Sequence, residues 1–194
     1  MATIVAKETE EAEVIEDTPF CIVDLPESWR AALAQGKISV PDTVRLGVLA
    51  VAADGSRIFG GLYSVEWSGI VSVDRDGSIA RIRASRSGST GGAFDGRWLV
   101  WEESHSSTDW SDWDIWAWDS NSGEVFEVAT APRANGATVP GPFVIPAVSD
   151  GKSAWVQANQ SGKGEVHLYD LATRQDRVLS AGAVVPPVLL QCGP

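Results

Sequence analysis

One unit occurs three times in this chain and restricts its fold more than any other feature. An Asp-Gly pair leads into an apolar strand, a polar or Gly-rich turn follows, and a second apolar strand closes on Asp. The pairs are Asp54-Gly55, Asp95-Gly96 and Asp150-Gly151, and the closing residues are Asp74, Asp119 and Asp170. Opening and closing Asp stand 20, 24 and 20 residues apart. A further turn and a third strand follow each copy, at 79–82, 125–128 and 175–179. Successive units start 41 and then 55 residues after the one before.

A period of about 40–50 residues, filled by strands and tight turns, is the sequence mark of β-propeller blades. The chain therefore reads as all-β, with three complete four-stranded blades. The strand before each Asp-Gly is the innermost, as in 143–148. Each blade packs on both faces, so its central strands are apolar on both, and 115–118 fits that pattern. The Gly-rich stretch 87–92 is expected to connect blades one and two. Residues 184–189 match 144–149 at an offset of 40 and read as the first strand of a fourth blade. A propeller needs at least about four blades to close. The expectation is thus an incomplete propeller, or a ring completed when copies associate as a homo-oligomer.

Ahead of the blades, residues 1–40 form an acidic N-terminal segment, and 41–194 form the blade region. Residues 1–35 hold eight acids and two bases, more than half of a net charge of −11. One short helix is expected at about 25–35, with Asp24 as cap, Pro26 in the first turn and Gly36 as stop. The acidic balance argues against a nucleic-acid or anionic-membrane surface. No apolar stretch reaches the length of a membrane span. The N-terminus lacks a basic region followed by an apolar run, which points to the cytoplasm. Cys21 and Cys192 form neither a disulfide framework nor a zinc site.

The second and third blades carry more specific motifs. Asp112-Trp113-Asp114-Ile115-Trp116-Ala117-Trp118-Asp119 runs on to Gly123-Glu124, and Pro146-Ala147-Val148-Ser149-Asp150-Gly151 precedes Ala154-Trp155-Val156. These resemble the TolB-like, WD-repeat-related β-propeller family, whose blades also stand before the catalytic domain of prolyl-oligopeptidase-type peptidases. The resemblance covers roughly residues 44–194 and implies fold, since this architecture hosts transport, scaffolding and enzyme-associated roles. It transfers no catalytic residue.

The richest local segment is 104–114, four residues longer than the equivalent turns in the other blades. Trp110, Asp109, Asp112 and His105 are its candidate ligand- or partner-binding residues, and Trp110 is the Trp expected outside the core. Three readings stand: blade packing with Asp-capped turns, contact with a sugar or partner, or calcium held by Asp109, Asp112 and Asp114. No Gly-x-Ser-x-Gly elbow accompanies His105, and no phosphate loop occurs. His167 falls mid-strand and reads as a packing residue. Arg81, Arg83 and Arg86 are expected to pair locally with Asp74 and Asp76. The sequence thus predicts a non-catalytic binding module for a protein or small-molecule partner, with no cofactor and no metal. The alternatives are the propeller portion of a peptidase or glycosidase that lacks its catalytic domain, or a carbohydrate-binding surface.

Overall fold

The computed structural model describes residues 43–106, 108 and 110–182, together with Glu27, Arg30 and Ala31. Blade one is β1 (Arg45–Val51), β2 (Arg57–Tyr63), β3 (Ser68–Asp74) and β4 (Ile79–Ala84). Blade two is β5 (Gly88–Phe94), β6 (Trp98–Ser104), β7 (Trp113–Asp119) and β8 (Val125–Thr130). A small hairpin follows, β9 (Arg133–Ala134) with β10 (Ala137–Thr138). Blade three is β11 (Ala147–Ser149), β12 (Lys152–Ala158), β13 (Gly164–Asp170) and β14 (Gln175–Gly182). Each blade is a four-stranded antiparallel meander with its strands in chain order. The three blades read from the repeats are therefore present.

The blades pack through apolar side chains that alternate along the central strands. In β6 every residue is buried. Leu99 and Trp101 join Phe59 and Ile70 between blades one and two, while Trp98 and Val100 join Val144, Trp155 and Tyr169 between blades two and three. Strand β7 divides likewise, Trp116 and Trp118 toward blade one and Ile115 and Ala117 toward blade three. Its tryptophans are blade packing, as expected. His167 stacks on Trp155 at 5.0 Å and 11°, with Nδ1 at 2.8 Å from Asp176 Oδ2.

Several details differ from the sequence reading. The stretch 87–92 is not only a connection, because Gly88 begins the innermost strand β5. A Cβ on Gly91 would stand 3.0 Å from Ile145 Cγ2, and one on Gly92 would stand 2.9 Å from the Val100 carbonyl oxygen. Glycines there let the inner strands approach, at the cost of ordinary strand-forming residues. The inner strand of blade three covers only Ala147–Ser149 rather than 143–148, since Pro146 has no N–H for the ladder. The arginines also choose other partners. Arg83 pairs with Glu103 at 3.2 Å and lies 3.7 Å over the Trp116 ring, while Arg81 lies 5.0 Å over Trp67. Asp74 is taken by Arg57 at 2.7 Å.

Of the helix expected at 25–35, Glu27, Arg30 and Ala31 are described, all with helical backbone. The strand expected at 184–189, both cysteines and the rest of the acidic segment lie outside the described residues. Among the described residues no helix is long and apolar enough to cross a membrane.

The meander gives each blade two ends. The Asp-Gly turns and the β3–β4, β7–β8 and β13–β14 turns lie at one end, the turn face. The β2–β3, β6–β7 and β12–β13 loops and the blade connections lie at the other, the loop face. The turn face explains the closing Asp of every repeat: Arg57 with Asp74, Arg97 with Asp119 and Lys152 with Asp170 form one ion pair per blade, at 2.7, 2.7 and 3.7 Å. Gly151, at φ 70°, also donates its N–H across blades to Asp95 Oδ2 at 2.9 Å.

Candidate functional site

The loop face is where the repeats stop resembling one another. The second spacing exceeds the first by fourteen residues, four in the β6–β7 loop and ten between Asp119 and Asp150. The ten accompany the β9–β10 hairpin and the segment after it, and the two insertions fold onto each other. Arg133 Nη2 donates to Asp112 Oδ1 at 3.1 Å, and the hydroxyls of Ser111 and Thr138 meet at 2.8 Å. Trp110 and Phe143 pack edge to face with centroids 5.4 Å apart. Their geometry is favourable for an aromatic pair, yet Trp110 stays 50% exposed and Phe143 47%. Both rings therefore present apolar surface to solvent beside an Asp–Arg pair.

His105 forms a second focus on the same loop. Its backbone N–H donates to the Asp112 carbonyl at 2.9 Å, extending the β6–β7 ladder by one rung. Its Nε2 lies 2.8 Å from Asp114 Oδ2 and its Nδ1 lies 3.1 Å from Ser87 Oγ. Ser87 comes from the connection between blades one and two, where its own N–H is held by Ser85 Oγ at 3.1 Å.

Beneath this surface β6 changes from apolar to acidic without leaving the interior. Glu103 is satisfied by Arg83, by Ser85 Oγ at 2.8 Å and by Trp101 Nε1 at 2.9 Å. Glu102 faces the other side of the sheet, where Thr90 Oγ1 donates to it. Burial holds the Glu102 carboxyl above the usual carboxylate range, against the Thr90 hydrogen bonds that lower it. On the turn face the opposite holds. Arg97 donates two hydrogen bonds to Asp119 and lowers its carboxyl to about 2.

Of the four residues singled out in the sequence, Trp110, Asp112 and His105 lie on this loop, while Asp109 lies outside the described residues. Trp110 is outside the core as expected. Asp112 and Asp114 are engaged separately, by Arg133 and by His105, and among the described residues no three His, Cys, Asp or Glu side chains gather as a metal site. Sequence reasoning missed Phe143, Arg133 and Ser87. The ten-residue excess after Asp119 was the signal for the first two. Nothing local marked Ser87, since its meeting with His105 spans 18 positions.

No family description matches the chain, and no curated protein does. Solved structures do match. An oligogalacturonate lyase in complex with manganese is 14% identical, with a TM-score of 0.54 over 73% of this chain and 43% of its own. A puromycin-hydrolyzing peptidase of Mycobacterium tuberculosis is 14% identical, with a TM-score of 0.53 over 73% of this chain and 24% of its own. TolB from Acinetobacter baumannii is 16% identical, with a TM-score of 0.48 over 74% and 34%. The chain thus spans less than half the length of these structures. At such identities the likeness is one of fold. The described residues form β-propeller blades.

Proposed function

We propose that this chain is a propeller binding module whose loop-face platform holds a protein or small-molecule partner. One observation carries the reading: the two insertions that break the repeat meet at one place and leave Trp110 and Phe143 half-exposed there. Scaffold residues follow the repeat, whereas these depart from it and face solvent, the usual place of recognition loops on a rigid fold. Aromatic rings beside an Asp–Arg pair suit a partner with an apolar or C–H-rich face flanked by polar groups, a sugar ring or a peptide side chain among them.

Trp110→Ala tests this. Binding to an immobilised glycan panel and recovery of a protein partner by the purified chain are both expected to fall at least tenfold. The melting temperature is expected to stay within about 2 °C, since the ring is half-exposed. Unchanged capture by the variant sinks the platform. A second reading, the propeller part of a hydrolase, draws on the peptidase match and on the chain's spanning about a quarter of it. It predicts that a longer reading frame continues into further blades and a catalytic domain.

A further inference from the structure

A comparison of the three blades at one position isolates a departure from the repeat that the binding platform does not use. The first residues after β2, β6 and β12 are Ser64, His105 and Asn159. Their backbone N–H groups play the same part, donating to Trp67, Asp112 and Lys163 carbonyls at 3.0, 2.9 and 2.7 Å. In blades one and three the side chain closes its own turn. Ser64 Oγ donates to the Trp67 carbonyl at 2.8 Å, and Asn159 Oδ1 accepts from Ser161 and Lys163 N–H groups at 2.9 and 3.0 Å. In blade two the turn is longer, and His105 instead links Asp114 to Ser87.

We infer that Ser87 is an activated nucleophile that takes an acyl group from esters with good leaving groups, with His105 as its base and Asp114 as the positioning carboxylate. A Ser–His–Asp relay is recognised by the roles of its groups rather than by sequence order, so the missing Gly-x-Ser-x-Gly elbow does not count against it. The ring is reversed from the usual arrangement, with Nδ1 rather than Nε2 facing the nucleophile. An ionised carboxylate only accepts hydrogen bonds. Asp114 therefore fixes the imidazole proton on Nε2 and leaves the Nδ1 lone pair facing Ser87 Oγ. The Asp114 side chain is 16% exposed and that of His105 37%, while Ser87 is half-buried. The frame is preorganised. Asp114 pairs with Glu103 in the β6–β7 ladder, and Gly88, next to Ser87, pairs with Ser104 beside His105.

The step balances with no added oxidant or cofactor. The Ser87 hydroxyl proton passes to His105 Nδ1 while Oγ forms a bond to the ester carbonyl carbon. The tetrahedral adduct collapses, the bond to the leaving oxygen breaks, and that oxygen takes the proton from Nδ1. Water then gives its proton to Nδ1, attacks the acyl carbon and breaks its bond to Oγ, which recovers the proton. Nucleophile, base and positioning group are what the described residues supply here, which is why aryl esters, needing the least further help, are the substrate class.

The test is labelling of the purified full chain with a fluorophosphonate probe, with p-nitrophenyl acetate as the acyl donor in a parallel reaction. One adduct per chain is expected, mapped by mass spectrometry to Ser87, and absent when the chain is unfolded in urea. His105→Ala is expected to slow labelling at least about 100-fold, the usual scale of a lost general base. Added imidazole should restore part of that rate, a rescue that a purely structural histidine would not give. Should His105→Ala melt without cooperativity, His105→Gln keeps a hydrogen-bonding side chain without a base and is expected to lose the same rate. An unlabelled Ser87, or a histidine variant labelled at the parent rate, overturns the inference.

Discussion

The two faces of the blades contrast sharply. On the turn face the same device recurs in every repeat: an Asp-Gly turn, a basic residue at the head of the second strand, and a closing Asp paired with it. On the loop face the blades diverge. Ser64 and Asn159 close their own turns at one structural position, whereas His105 there links Asp114 to Ser87. Repetition marks what any blade needs to fold beside its neighbours, whereas departure marks what this particular blade does. The buried acids divide in the same way. Asp119 on the turn face is held ionised by Arg97, while burial pushes Glu102, near the loop face, toward its protonated form.

The strongest challenge to this division lies between the faces. Trp101 is fully buried where blades one and two meet, and Trp101→Ala is expected to cost about 3–5 kcal/mol. Urea unfolding followed by circular dichroism reads it directly. A loss under about 1 kcal/mol would mean that the blades do not depend on that interface.

Next comes the turn-face pair. Asp119→Asn is expected to cost about 1–2 kcal/mol at neutral pH, discounted because Arg97 is half-exposed. The folded carboxyl sits at about 2 against an ordinary 3.8. The stabilisation is therefore complete above about pH 4 and is lost as pH falls through about 2. The parent and the variant should converge in stability over that window, and a difference at pH 2 as large as that at neutral pH would contradict the assignment.

The loop-face acid should act with the opposite sign. A carboxyl raised in the folded state weakens the fold as pH rises, because the folded chain must give up a proton it holds more tightly than the unfolded one. Glu102→Gln is therefore expected to raise stability at neutral pH, seen as a higher melting temperature. A lower one would show that the charge itself is needed there.

Arg133→Ala should have the smallest effect. The pair with Asp112 is largely exposed, so stability should change by only a few tenths of a kcal/mol. Partner capture should weaken if the two insertions must stay docked, and that split between stability and binding sharpens the contrast between the faces.

How much of this was legible depends on the distance over which the information is carried. Strand alternation and Asp-Gly turns are local and recur, so three meanders and their packing tryptophans could be read directly from the chain. Trp110 could be placed outside the core because the repeat register left it in a lengthened turn. Strand β5 could not, because its glycines look like a connection until neighbouring strands show why no Cβ fits. Asp112 and His105 were visible as a polar loop, but their partners were not. Arg133 stands 21 positions from Asp112, and Ser87 stands 18 from His105.

The sequence by itself determined the blade: its four strands, its two-sided apolar core and its closing Asp, because period-two burial and tight turns are dictated over a few residues. Only the tertiary structure decided which side chains meet on the loop face. The docking of two insertions, and the chain of hydrogen bonds from Ser87 through His105 to Asp114, depend on neighbouring strands and blades being brought side by side. No local preference in the sequence encodes that juxtaposition.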